Sequence, residues 1–371
     1  MHDCLIIGGG VIGLSLAYDL AVHGCRVQVI DRATPGREAS WAGAGILPPA
    51  NEQSALHPLD QLRGMSYRLH AEWARSLHAE TGIDTGYRRC GGIYIALSAG
   101  EAASLHGLCG LLREEGVVVE RLSPDGLAAL EPALCPPADS RRAATAYLLP
   151  DEVQIRNPRH LQALLAACQR RGVTVSIDTG AREWQTERGR ITGVVTDRGA
   201  LSADSYCVAA GPWAQGLLAQ LGVATGILPI RGQMVLFRSE RPLLAHIVNV
   251  GPRYLVPRDD GRLLVGSTEE EVGFDKSTTE EAIGELVTLA QQVVPALRDA
   301  NVEQTWAGLR PGTFDSLPYL GRVPGFENIF VAAGHFRSGL LLSTGTAVVM
   351  SRLIRGEDPQ LDLSPFRVGR G

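Results

Sequence analysis

No two cysteines in this chain are spaced as a CxxC pair. The seven cysteines, Cys4, Cys25, Cys90, Cys109, Cys135, Cys168 and Cys207, are odd in number and scattered. That excludes a disulfide framework and a tetrahedral zinc site, and it fits free thiols in a reducing compartment. No basic stripe is present and the formal net charge is −5, which argues against nucleic acid and anionic membrane surfaces as partners. The opening "MHDCLIIGGG" lacks a basic n-region, and glycines break its apolar run, so it does not read as a secretory signal. No uncharged span reaches the roughly 18 apolar residues that a membrane crossing needs. These absences together point to the cytoplasm. Internal repeats and low-complexity tracts are missing too, as is any Ser/His/Asp or paired-carboxylate arrangement.

What the sequence does contain begins with its size. A chain of 371 residues exceeds what one hydrophobic core usually serves, so two domains are expected. Apolar residues make up 45% and charged residues 20%, ordinary for a globular protein, while 43 glycines imply backbone packed close to something. The segment "CLIIGGGVIGLSLAYDLAVHGCRVQVIDR" reads as strand, glycine turn, helix, strand. Gly8, Gly10 and Gly13 form G-x-G-x-x-G, and Leu14, Leu16, Ala17, Leu20 and Ala21 follow with helical spacing. Gly8 permits the tight turn, Gly10 lets backbone approach a pyrophosphate, and Gly13 lets helix and strand pack closely. The helix N-terminus, at Val11 and Ile12, offers unpaired N–H groups and the positive dipole end to phosphates. Asp31 ends the second strand and can accept hydrogen bonds from ribose hydroxyls. A dinucleotide site is the reading.

NAD and FAD both satisfy that motif. The next segment, "ATPGREASWAGAGILPP", is rich in Gly, Ala and Ser and leaves the sheet after residue 47. Residues 38–46 are read as a loop along the pyrophosphate and flavin of FAD. Further on, a helix is expected over 55–81, a strand over 91–98, a helix over 100–116, and a helix then a strand over 157–178. The segment "VAAGPWA" ends a buried strand in Ala-Ala-Gly, which again brings backbone close to a ligand. Residues 227–275 alternate apolar and polar and read as antiparallel strands, with "RDDGR" a hairpin tip. A helix over 278–298, two strands and a final helix close the chain, and "SPFRVGRG" reads as a loose tail. The fold class is therefore α/β: a Rossmann-like FAD-binding domain with an inserted α+β substrate domain that contains an antiparallel sheet. The expected boundaries are 1–47, 145–225 and 300–371 for the first domain, and 48–144 and 226–299 for the second.

The segments "DEVQIRNPRHLQALLAACQRRGVTV", "VAAGPWA", "WAGLRPGTFDSLPYLGR" and "FVAAGHFRSGLLL" follow the N-terminal motif in an order that resembles the D-amino-acid oxidase family of flavoproteins. The C-terminal pair looks most like the family's glycine oxidase branch of thiamine biosynthesis. The resemblance implies that Arg310 holds a substrate carboxylate by two parallel hydrogen bonds, and that Tyr254 in "RYLVPR" adds a third. It implies that Arg337, in a loop with His335, Phe336, Ser338 and Gly339, passes the flavin ring. The helix that begins at Leu340 and Leu341 would point its N-terminus at the ring's N1/C2=O edge, where positive charge favours the reduced anion. The other cofactor contacts implied are Arg32, Ala39, Ser40, Ala44, Gly45, Ile46, Ala181 and Gly211. No cysteine follows Cys207, so the FAD is expected to be noncovalent.

Two positions depart from the resemblance. Glu269 stands where the branch has a pocket methionine, and Pro252 where it has a histidine. An acid there could repel a second carboxylate, attract an amine, or point away. The activity implied is oxidation of glycine, sarcosine or a small D-amino acid to the imine and α-keto acid, with oxygen reduced to hydrogen peroxide. A dehydrogenase with another electron acceptor and a non-catalytic flavin-binding subunit are the alternatives. The implied partners are the amino acid, molecular oxygen and the thiazole-synthesis machinery, and the implied assembly is a homo-oligomer.

Overall fold

A computed structural model describes residues 2–134 and 145–370; Cys135, one of the expected free thiols, lies outside the described residues. The first strand, His2–Ile7, is the centre of a six-stranded sheet. Val27–Ile30 and Thr174–Ser176 lie to one side of it. Ala203–Val208, Ile329–Ala333 and Tyr319–Arg322 lie to the other. All neighbours are parallel except the last pair. Alternate residues of each strand enter different cores. Cys4, Ile6, Cys207, Phe330 and Ala332 belong to one. Leu5, Ile7, Tyr206, Val208 and Val331 belong to the other. A sheet covered on both faces needs apolar residues at every position, which is why "CLII" and "IFVAA" read as unbroken runs.

The helix Val11–Val22 packs on one face beside Asn157–Arg170 and the last helix, Gly339–Ile354. At Gly13 a Cβ would lie 1.9 Å from the Gly8 carbonyl oxygen, so only glycine allows this helix to start so close to its strand. A long helix, Pro58–Thr81, joins the same layer. Its Leu62, Met65, Trp73 and Leu77 are buried in the core beneath the nucleotide-binding sheet.

The second sheet has eight strands, in the order Asn301–Gly312, Leu228–Arg238, Arg262–Gly266, Arg253–Pro257, Ile247–Val250, Gly92–Ala96, Thr145–Leu149 and Glu120–Leu122. The helix Glu280–Val293 covers one face through Leu286, Ala290 and Val293. Arg258–Arg262 forms the tip between two of its strands, where the sequence places it.

Three expectations are corrected. Residues 301–312 do not belong with the nucleotide-binding fold: they pair along their whole length with Leu228–Arg238, so the boundary expected at 300 falls after 312. Residues 145–149 likewise sit in the eight-stranded sheet, beside Gly92–Ala96. The C-terminal segment is not loose. Phe366 and Val368 are buried, and the Arg370 guanidinium donates to both Asp315 carboxylate oxygens at 2.8 and 3.0 Å.

Candidate active site

The two sheets meet along one cavity of about 940 Å³. Its first half is built by the glycine turn. Gly8 has φ 111° and lies against Ala209, where a Cβ would be 2.5 Å from the carbonyl oxygen. The helix that follows has no side-chain cap of its own; the Ser40 hydroxyl instead accepts the Val11 N–H at 2.9 Å. Asp31 accepts the N–H of Gly9 at 2.7 Å and of Ala33 at 3.0 Å, so its carboxylate ties the turn to the second strand and still faces the cavity. Trp213 closes this end, with the Arg32 guanidinium 3.6 Å above its ring and Phe274 stacked at 5.5 Å.

Residues 38–46 form a short helix, Ala39–Ala42, then a turn into the strand Ile46–Leu47. The Trp306 indole N–H donates to the Ala42 carbonyl at 3.1 Å. Gly308 lets that helix lie on the eight-stranded sheet, since a Cβ there would be 2.5 Å from Ala42 Cβ. Asn157 donates to the Ser40 carbonyl at 2.7 Å, but its Oδ1 is buried with no partner in the protein and the residue lines the cavity. An unmet acceptor beside Gly43–Gly45 fits a ligand that brings a donor to that position.

The second half is carried by the eight-stranded sheet and the loop before the last helix. Arg310 lies across Gly232, where a Cβ would sit 2.2 Å from Nη1. It donates to the Thr268 carbonyl at 3.1 Å and the Ser267 hydroxyl at 2.5 Å. The Tyr254 hydroxyl is 3.5 Å from Met234 Sδ. Gly334 and Phe336 both have positive φ, 81° and 47°, and turn the chain so that Gly339 and Leu340 face the cavity at the helix N-terminus. Buried His335 shares a hydrogen bond with Thr346 Oγ1 at 3.1 Å, and burial lowers its pKa to about 3, so the ring is neutral and unsuited to act as a base near neutral pH.

The residues singled out in the sequence separate as follows. Gly8, Gly10, Val11, Ile12, Asp31, Arg32, Ala39, Ser40, Ala44, Gly45, Ile46, Ala181 and Gly211 line the cavity, as do Pro252, Tyr254, Arg310, His335, Phe336, Arg337, Gly339 and Leu340. Four do not. Gly13 is spent on helix–strand packing, Ser338 lies in the turn with its N–H on the His335 carbonyl, and Leu341 is buried in a small core. Glu269 turns to the rim and pairs with Arg337. Sequence reasoning missed Trp213, Asn157, Asn249, Arg253 and Ser267. Three of these stand inside quoted segments: Asn157 in "DEVQIRNPRHLQALLAACQRRGVTV", Trp213 in "VAAGPWA" and Arg253 in "RYLVPR".

A glycine turn and helix N-terminus at one end, an arginine-lined wall at the other and one cavity between them define a nucleotide-cofactor oxidoreductase. The chain belongs to the family described as DAO, FAD dependent oxidoreductase, which matches residues 3–353. Its cofactor is FAD. It is 33% identical over 363 residues to a glycine oxidase of Pseudomonas aeruginosa, covering 98% of this chain and 97% of that one. It is 35% identical over 358 residues to a bifunctional ThiO/ThiG protein of Synechocystis, of which it spans 51%. The crystal structure of glycine oxidase from Geobacillus kaustophilus superposes with a TM-score of 0.94 at 32% identity, covering 100% of this chain and 99% of that chain. No helix among the described residues is long and apolar enough to cross a membrane.

Proposed function

We propose that this FAD-dependent amino-acid oxidase takes a small amino acid, of the size of glycine, sarcosine or a small D-amino acid, to the imine and then the α-keto acid. Oxygen is the electron acceptor and hydrogen peroxide the second product. The observation that carries this reading is that Arg310 and the Gly8–Gly10 turn line the same cavity. FAD, held by these residues, would supply the two-electron acceptor for a hydride from the substrate Cα and would pass that electron pair on to oxygen.

The protein's part is binding and orientation. Gly8, Gly10 and the Val11 end of the first helix receive the pyrophosphate, and Asp31 keeps lone pairs for the ribose. Arg310 holds the carboxylate with the N–H groups that Ser267 and Thr268 leave free, and Tyr254 adds its hydroxyl. The N-terminus of Gly339–Ile354 places positive potential where the reduced cofactor would gather negative charge, and Arg337 beside it is held at the rim by Glu269. The substrate amine reacts unprotonated, so no side-chain base is needed, in keeping with a neutral His335. No cysteine lines the cavity among the described residues, which supports a noncovalent cofactor. The fused ThiO/ThiG relative supports delivery of the product to the thiazole-forming machinery of thiamine biosynthesis.

The test is anaerobic addition of glycine, sarcosine and D-alanine to the yellow protein, followed by peroxide measurement in air. Bleaching with stoichiometric peroxide is expected; bleaching without peroxide would assign a dehydrogenase. Arg310→Ala should raise the apparent KM at least about a hundredfold, the loss of a charge-assisted bidentate contact of about 3 kcal/mol, while FAD stays bound. Unchanged kinetics would refute the role of Arg310.

A further inference from the structure

Five arginines line this cavity: Arg32 and Arg182 pair with Glu38 and Asp197 at the nucleotide end, and of Arg253, Arg310 and Arg337 at the other end the protein neutralises one. Arg337 pairs with Glu269 at the rim. Arg310 and Arg253 come from different strands and meet on one residue. Arg310 Nη2 donates to the Ser267 hydroxyl at 2.5 Å, and Arg253 Nη1 donates to the Ser267 carbonyl. Ser267 itself is only 3% exposed. Neither guanidinium meets a carboxylate among the described residues. Of the acids just after Ser267, Glu269 is taken by Arg337 and Glu270 by Arg231, which also holds Asp275.

Two like charges fixed on one buried serine repel, and the repulsion is less screened there than in water. An anion bound between them removes that repulsion. Of the three guanidiniums at this end of the cavity, Arg337 is matched by a carboxylate and Arg253 and Arg310 are not. A single substrate carboxylate on Arg310 answers one of them and leaves Arg253 unmatched. Both guanidiniums border the cavity and are tied to the same residue, so one small molecule with two carboxylates can meet both.

We propose that the substrate is a small dicarboxylic amino acid, with one carboxylate on Arg310 and the second on Arg253, and that Arg253 sets the specificity. This rests on the oxidase reading above and on its placement of a carboxylate on Arg310. It also gives Glu269 a role: by occupying Arg337 it leaves Arg253 as the partner for the second carboxylate.

The test uses the FAD-loaded enzyme with glycine, sarcosine, iminodiacetate and D-aspartate as substrates, and acetate and malonate as amine-free probes of the flavin spectrum. At least one dicarboxylic amino acid should exceed glycine in kcat/KM by about tenfold or more, and malonate should bind at least about tenfold more tightly than acetate. Arg253→Met should erase both preferences, costing the dicarboxylic substrates at least about tenfold more in kcat/KM than glycine, and Arg253→Lys should restore part of them. Dicarboxylates no better than glycine, or a loss in Arg253→Met shared equally by all substrates, overturn the proposal and leave the oxidase reading standing. If no amino acid of either class reduces the flavin, both readings fall. The wild-type panel decides the substrate class even if the variants fail to fold.

Discussion

Glu152 is a fully buried carboxyl with no cation paired to it among the described residues. Its Oε2 accepts the Tyr94 hydroxyl at 2.6 Å and its Oε1 the Asn249 amide at 3.4 Å. Gly92 makes room for it, since a Cβ there would lie 2.4 Å from the carboxyl carbon. Burial raises its pKa to about 7, only partly offset by those hydrogen bonds. The folded protein therefore holds this proton more tightly than the unfolded chain, whose carboxyl titrates near 4.5. The resulting stabilisation is full below about pH 4.5 and is lost as pH rises through about 7. Glu152→Gln should remove that loss, worth on the order of 3 kcal/mol at pH 8. Urea unfolding at pH 5 and pH 8 checks it: the variant should lose less stability between the two than the wild type. Nothing in "LLPDEVQI" reveals this residue, because its burial comes from Gly92 and Asn249, on strands far away in sequence. Gly13 is legible for the opposite reason: its contact is the Gly8 carbonyl five residues before it, and a short motif carries it whole.

Among the elements, the turn after Ala39–Ala42 is held from behind by one side chain. Arg258 is buried and donates to the Ala44 carbonyl at 2.7 Å, the Ile155 carbonyl at 3.1 Å and Gln154 Oε1 at 2.8 Å. Burial lowers its pKa to about 10, with Arg156 and Arg88 adding repulsion. Removing a buried cation relieves desolvation but leaves three acceptors unpaired, and each of these terms is about 1–3 kcal/mol or more with opposite sign. Arg258→Met should therefore change the stability of the FAD-free protein by no more than about 2 kcal/mol. The turn at Ala44 and Gly45 would lose its anchor, and FAD should bind about tenfold more weakly. Thermal unfolding of the FAD-free protein and an FAD titration separate the two effects; unchanged FAD affinity would count against the anchor. The sequence showed this hairpin clearly, since "RDDGR" carries turn chemistry. It could not show that the first arginine of the turn reaches back to residue 44.

For the whole molecule, the elements were legible and their allegiance was not. The parallel strands announce themselves as unbroken apolar runs, and the antiparallel ones by alternation. Pairing partners distant in sequence carry no such local mark, so 301–312 was assigned to one sheet and lies in the other. The same crossing binds the two sheets mechanically. Pro58–Thr81 leaves the first sheet's connectivity yet buries Leu62, Met65, Trp73 and Leu77 in its core. Trp306 and Gly308 hold Ala39–Ala42 against the second sheet, and Lys276 reaches Glu38 at 3.0 Å. Phe366, at the far end of the chain, is buried in the core of the first sheet. Two domains that exchange this many buried parts cannot unfold one at a time without exposing apolar surface in both. Calorimetry should then show a single transition, with calorimetric and van't Hoff enthalpies in agreement. Phe366→Ala, a loss of about 3–5 kcal/mol at a site remote from the second sheet, should lower that one transition as a whole. Two resolved transitions, with only the first displaced by the substitution, would mean that the sheets fold as separate units and that the shared cavity forms only after both are complete.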